Sequence, residues 1–329
     1  MAANATILGG IAGTTLTAAE RDFFRAADPW GFILFGRNVD NPDQMRRLTG
    51  DLRDAVGRDC VITVDQEGGR VQRLRSPHWF DWPAPLDQAA AGPRAMWLRY
   101  HLIGCELRAV GIDSNCAPTL DVAQADTHPF LRNRCLGDDP GDVATLGRAA
   151  ADGLLAAGVL PVMKHMPGHG RAVADSHHAL PTVAAASDDL DRLDFAPFRA
   201  LNDLPMGMTA HIRFTALDDA PATASPALIR LIRDRIGFDG LLMTDDITMN
   251  ALSGTEADRA AASLAAGCDV ILHCNGTIGS MEPVVAAAGP LSADAQRRAD
   301  AALAQRRAPP RSDPADLWAE WHRLTPALA

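Results

Sequence analysis

The sequence predicts an α/β fold, a single-domain (β/α)8 TIM barrel, and three observations carry that prediction. Eight short apolar runs alternate with helical stretches along 329 residues. Most of the runs are continuously apolar rather than alternating, as in parallel strands buried on both faces. Polar groups follow six of the eight runs directly, where barrels of this type carry their reactive side chains. A doubly wound open sheet is the competing architecture.

The strand candidates are residues 5–11 (ATILGGI), 31–35 (GFILF), 61–64 (VITV), 112–116 (IDSNC), 160–164 (LPVMK), 206–210 (MGMTA), 241–244 (LLMT) and 270–273 (VILH). Between them lie helices with readable ends. Asn41 and Pro42 open NPDQMRRLTGDLRDAVG, and Ser225 and Pro226 open SPALIRLIRDRIG; each joins a side-chain N-cap to proline at the first helical position. DVATLGRAAADGLLAAG and EADRAAASLAAG end on Gly158 and Gly267, which suit a left-handed C-cap. Long helical stretches also precede Ile112 and Met206. Residues 1–308 read as the barrel. Residues 309–329 read as a Pro-rich connector and a short helix opened by Asp313 and Pro314, with its tryptophans docked on the barrel. The stretch ILGGIAGTT lacks the G-x-G-x-x-G spacing and the acidic residue of a dinucleotide loop, and no role is assigned to it.

Composition narrows the function. A 47% hydrophobic content supports a large core. The net charge of −10 argues against a general nucleic-acid or anionic-membrane surface. No apolar run is long enough for a membrane span, and MAANATILGG lacks the basic region of a secretory signal. The six cysteines (60, 105, 116, 135, 268, 274) form no C-x-x-C pair. Reduced, buried thiols in a cytoplasmic protein are expected.

The polar groups just past the strands are Asp65, Asp121, Lys164 with His165, His211, Asp245 with Asp246, and Asn275. Their recurrence points to one convergent pocket. VDQEGGRVQRL sets Asp65, Glu67, Arg70 and Arg73 around paired glycines, which let backbone turn sharply near a ligand. A carboxylate accepting from vicinal hydroxyls and an arginine fork form a sugar-binding device, with an ion-pair network as the plainer reading, above all for Glu67 and Arg70. Two adjacent acids in LLMTDDITM point in different directions, so one can face the pocket as a carboxylate nucleophile while helix capping accounts for the other or for both. VMKHMPGHGRAVADSHHALP holds five histidines on a segment too rich in Gly and Pro for helix or strand. It reads as a catalytic loop, in which Asp175 can set the tautomer of His177 and raise its pKa, making it a general acid/base.

GFILFGRN, VDQEGGRVQRL, MKHMPGHG…ADSHHALP and MTDDITM together resemble the signatures of glycoside hydrolase family 3, in order from about residue 31 to 275. They are most similar to the bacterial β-N-acetylhexosaminidases that recycle peptidoglycan in the cytoplasm. The resemblance implies Asp245 as nucleophile, His177 as acid/base with Asp175 as its partner, and sugar-binding roles for Asp65, Arg73, Arg134, Lys164 and His165. The Arg134 match is imperfect, because Cys135 and Leu136 replace the usual Ser-Phe, and Met166 stands where phenylalanine is usual. It also implies a retaining mechanism and a substrate with N-acetylglucosamine β-linked to 1,6-anhydro-N-acetylmuramic acid. No metal, organic cofactor or obligate protein partner is implied. The rivals are a metal-dependent hydrolase using His165, His169, His177, His178 and Asp245, a non-catalytic sugar binder, and a relative preferring glucosides.

Overall fold

The computed structural model describes residues 2–174, 176, 179–308 and 314–327. Eight parallel strands form its centre: β1 Asn4–Leu8, β2 Pro29–Leu34, β3 Val61–Val64, β4 Ser114–Asn115, β5 Leu160–Met166, β6 Met206–Thr209, β7 Leu241–Met243 and β8 Ile271–His273. Each strand up to β6 pairs with the next, and β8 pairs with β1. A parallel bridge from Met243 to Val270 joins β7 to β8, helped by Ile247 N–H donating to Leu272 O at 3.0 Å. The ring is the expected (β/α)8 barrel. Strand residues alternate in their facing. Phe32 and Leu34 pack outward with Met45, Leu48 and Leu52 of the helix Pro42–Val56, whereas Ile33, Met208 and Leu272 reach the pocket at the barrel mouth.

Local chemistry explains most helix ends. Asn41 Oδ1 accepts from Gln44 N–H at 3.0 Å, with Pro42 at the first position. Ser225 Oγ accepts from Leu228 N–H at 3.1 Å ahead of Pro226. Gly267 closes Glu256–Ala266 at φ 114°, and Gly158 follows the helix Pro140–Ala156 by two residues at φ 82°. The stretch before Met206 differs from expectation. It is broken into Ser187–Asp189, a widened turn Leu190–Asp194 and Ala196–Ala200. Pro197 has no N–H to donate back along the helix, and Phe195 N–H reaches five residues back to Leu190 O at 2.9 Å.

Two strands are shorter than the apolar runs suggest by more than one residue. The first ends at Leu8 because Gly9 and Gly10 leave the sheet for a close contact. A Cβ on Gly9 would lie 2.8 Å from Cys274 O, and one on Gly10 would lie 2.6 Å from Met281 Sδ. Arg37 pins this turn, donating to Ile11 O at 3.1 Å, to Cys274 O at 2.9 Å and to Gly9 O. The glycine-rich segment thus serves packing. At β4, side chains replace backbone rungs. Asp113 Oδ1 accepts from Ile62 N–H at 2.8 Å, and Asn115 exchanges 3.0 Å bonds with the backbone of Gln66.

Two features lie outside the sequence expectation. Thr182–Val183 pairs in parallel with Arg213–Phe214, tying the end of the long loop after β5 to the segment after β6. The peptide between Lys164 and His165 is cis. At the C-terminus, the helix Ala315–Leu324 lays Trp318 and the fully buried Trp321 against Phe80 and Trp82. Among the described residues no helix is long and apolar enough to cross a membrane, and all six cysteines carry free thiols.

Candidate active site

A cavity of about 190 Å3 opens at the C-terminal mouth of the barrel. Asp65, Arg73, Arg134, Lys164, His165 and Asp245 all line it, so the tertiary fold brings together six candidates spread over 181 positions of sequence. Asp175 and His177 lie outside the described residues. Ser176, between them in sequence, lines the cavity.

The cluster is built as a chain of ion pairs. Arg73 Nη2 meets Asp65 Oδ2 at 3.1 Å, and Lys164 Nζ meets Asp65 Oδ1 at 2.9 Å. Lys164 Nζ also contacts Glu67 Oε1 at 2.6 Å. Glu67 receives both prongs of Arg134, at 2.7 and 2.9 Å. Arg134 Nη2 lies 3.5 Å from His165 Nε2, and His165 Nδ1 lies 2.7 Å from Asp121 Oδ2. Adjacent strand residues ordinarily face opposite ways. Here the pairing of β5 with β6 slips between Met163 and Met166, and the local irregularity lets both Lys164 and His165 reach the cavity.

Electrostatics keep these groups ionised. Burial alone would raise the carboxyl of Glu67, but Arg134 and Lys164 hold it down to about 2. Burial likewise opposes ionisation of Asp65, and Lys164 and Arg73 outweigh it, leaving the carboxyl well below its ordinary range. Burial would lower Lys164, yet Asp65 and Glu67 push it above its usual value. Both acids are depressed in the fold, so their contribution to stability is complete above about pH 4.5, the ordinary carboxyl range, and is lost as pH falls towards 2. Equilibrium unfolding between pH 2 and 6 should show a stability that rises with pH and levels off near 5. A flat profile would contradict the ionised network.

The two adjacent acids separate cleanly. Asp246 spends its oxygens on the loop: Oδ1 accepts from Thr248 N–H at 3.0 Å and Cys274 N–H at 3.1 Å, and Oδ2 accepts from Thr248 Oγ1 at 2.7 Å and Asn275 Nδ2 at 3.3 Å. Asp245 makes one hydrogen bond among the described residues, accepting from Asp246 N–H at 2.8 Å through Oδ1. Its second oxygen accepts no hydrogen bond among the described residues. Burial works against its charge, but His211, His165 and the Asp246 N–H hold its pKa below the ordinary value. A low-pKa carboxylate facing a sugar-sized cavity can act as a nucleophile on an electrophilic carbon.

Residues 18–304 match the glycosyl hydrolase family 3 N-terminal domain. The chain belongs to glycosyl hydrolase family 3. It is 38% identical over 282 residues to a β-hexosaminidase of Bordetella avium, covering 82% of this chain and 80% of that protein. It is 39% identical over 272 residues to a β-hexosaminidase of Pseudomonas aeruginosa, covering 80% and 81%. Its fold is similar to NagZ from Neisseria gonorrhoeae in complex with N-trifluoroacetyl-D-glucosamine, with TM-score 0.85 and 28% identity over 100% of this chain and 99% of that one. It is also similar to a family 3 β-N-acetylglucosaminidase from Paenibacillus sp., with TM-score 0.89 and 31% identity over 99% of this chain and 68% of that one.

In this family 3 barrel, three supporting residues fall outside the candidate set that the sequence suggests. Glu67, legible in sequence as an ion-pair residue, is the central link between Lys164 and Arg134. Asp121 is visible as a polar strand end, and it fixes the His165 ring while its Oδ1 accepts from His169 N–H at 2.7 Å. His211, another strand end, is fully buried. Its Nε2 donates to Asp246 O at 3.0 Å, and its Nδ1 lies 2.8 Å from Thr223 Oγ1. Each acts behind the ligand-facing shell, where sequence carries only the signal of a polar residue after a strand. Of the rival metal ligands, His177 and His178 lie outside the described residues, and among the described ones no group of three His, Cys, Asp or Glu side chains is arranged around a metal position. His165 instead has one ring nitrogen on Asp121 and the other facing Arg134. Burial, then His165, lowers His169 to about 4 and keeps its imidazole neutral at pH 7.

Proposed function

We propose that the protein is a retaining exo-β-N-acetylglucosaminidase that removes non-reducing N-acetylglucosamine from muropeptides containing 1,6-anhydro-N-acetylmuramic acid. The carrying observation is Asp245: a half-buried, ionised carboxylate with one oxygen uncommitted among the described residues, facing a pocket in which Asp65, Arg73, Lys164 and Arg134 are tied into ion pairs. The names of the relatives, β-hexosaminidase and β-N-acetylglucosaminidase, supply the sugar. In this reading, Asp65, Arg73, Arg134, Lys164 and His165 bind the glycosyl ring. Asp245 attacks the anomeric carbon as His177, oriented by Asp175, protonates the leaving oxygen. Water activated by the same histidine then hydrolyses the glycosyl-aspartate. The setting is cytoplasmic turnover of cell-wall fragments, with no metal or organic cofactor in the chemistry.

A panel of β-glycosides tests this reading. Aryl N-acetylglucosaminides should turn over far faster than aryl glucosides, and the muropeptide disaccharide should release N-acetylglucosamine. His177→Ala should slow substrates with poor leaving groups by about 100- to 10,000-fold and spare activated aryl glycosides. Preference for glucosides would overturn the sugar assignment, no turnover of any glycoside would favour a binder, and equal losses on all leaving groups would remove the acid role of His177.

A further inference from the structure

Arg99 is fully buried in the helix Gly92–Arg108, and among the described residues it makes no salt bridge. A buried guanidinium without a carboxylate is costly, so its bonds call for explanation. Nη2 donates to Glu67 O at 2.6 Å and to Pro83 O at 2.5 Å, and Nη1 donates to Gln88 Oε1 at 2.9 Å. The fit leaves no slack. Gly68, at φ 108°, passes so close that a Cβ there would lie 2.0 Å from Arg99 Nη2.

The carbonyl that Arg99 holds belongs to the residue whose carboxylate ties Lys164 to Arg134. On its other side, Arg99 lies 5.7 Å from the centroid of the Trp82 ring. Trp82 is stacked on Trp318 at 5.2 Å and 20°, and Trp321 meets it edge-on at 5.3 Å. Both tryptophans come from the helix Ala315–Leu324, beyond residue 304, where the family 3 match ends. Arg94 of the Arg99 helix adds a two-pronged pair with Glu320, at 2.7 and 2.9 Å.

We propose that Arg99 and the C-terminal helix form a brace for the sugar-binding cluster, with Trp318 and Trp321 pressing Trp82 onto Arg99 and Arg99 setting the Glu67 backbone. Arg99, Trp318 and Trp321 are positioning residues; none lines the cavity. Their effect falls on the placement of Glu67, and through it on Lys164 and Arg134, which grip the ring in ground state and transition state alike. The brace therefore governs sugar affinity more than the chemical step.

Full-length Arg99→Lys keeps the charge but loses the planar fork that holds the Glu67 and Pro83 carbonyls with one nitrogen and Gln88 Oε1 with the other, and Trp318→Leu loosens the brace from a half-buried position. A 1 Å misplacement costs on the order of 100-fold, so a partial shift in Arg99→Lys should raise KM for an aryl N-acetylglucosaminide about tenfold. Inhibition by free N-acetylglucosamine should weaken by the same factor, with kcat nearly unchanged and faster amide exchange in residues 66–73. Trp318→Leu should move every readout in the same direction by less. A purely structural role would lower the folded fraction, and hence apparent kcat, at constant KM. Constant KM and inhibition in both variants, or unaltered exchange in residues 66–73, would overturn the brace. The inference rests on the proposed function for the identity of the sugar. A wild-type protein inactive on N-acetylglucosaminides sinks that reading, whereas the ligand-free exchange measurement tests the brace by itself.

Discussion

Asp245→Asn is expected to fold like the wild type and to lose turnover by roughly four to six orders of magnitude, the scale on which removing an attacking nucleophile acts. The argument is geometric. Asp245 and Asp246 are neighbours, but four hydrogen bonds consume Asp246, whereas Asp245 accepts one from the described residues. An amide at position 245 retains an oxygen for the Asp246 N–H, so the thermal midpoint should move by no more than about 2 °C. What disappears is the charge that attacks. Steady-state rates with an activated aryl N-acetylglucosaminide, alongside a melting curve, provide the check. A kcat within about tenfold of wild type would mean that the carboxylate only binds. The matching Asp246→Asn change should instead disturb the loop, because an NH2 would replace the oxygen that accepts from Thr248 Oγ1 and Asn275 Nδ2.

Glu67→Gln carries the second large effect, and it appears first in stability. Removing one member of a buried charge pair leaves its partner desolvated and unpaired, which costs about 3–5 kcal/mol. Glu67 has two such partners, Lys164 and Arg134, and its side chain is 1% exposed. With it gone, Asp65 is left to pair with both Arg73 and Lys164, and Arg134 loses its ion-pair partner among the described residues. Lys164 loses one of the two carboxylates that raise its pKa. Urea unfolding should show the loss, and KM should rise in the folded fraction because the ring-binding groups lose their register. A stability within about 1 kcal/mol of wild type would show that the network contributes little beyond packing.

Much of this molecule is legible in the order of its amino acids alone. Period and composition suffice for the barrel, because strands covered by helices on one side and packed inside the barrel on the other need apolar residues throughout. Helix starts at Asn41–Pro42 and Ser225–Pro226 are legible because capping is local chemistry. The errors are also local in origin. Residues 5–11 look like a longer strand because apolarity cannot distinguish sheet pairing from the close packing of Gly9 and Gly10. The helix before Met206 looks continuous because propensity averages over the break at Pro197. The Thr182–Val183 ribbon is illegible because its partner lies 31 residues away and both strands are two residues long.

For the site, position at or just past a strand end is enough to single out Asp65, Arg73, Lys164, His165 and the Asp245–Asp246 pair, whereas Arg134 is reached only through the family resemblance. Which of two neighbouring aspartates faces the ligand depends on where Cys274 and Asn275 arrive from β8, a contact across 28 or 29 positions. That Glu67 joins two cations, or that a buried Arg99 holds its carbonyl, depends on distances set by helices and loops far apart in sequence. The chain by itself determines which chemical groups are available and roughly where along each βα unit they fall, because those depend on local pattern. Only the closed barrel decides which of them touch and which keep a free oxygen, because ion pairing and desolvation act through space rather than along the backbone.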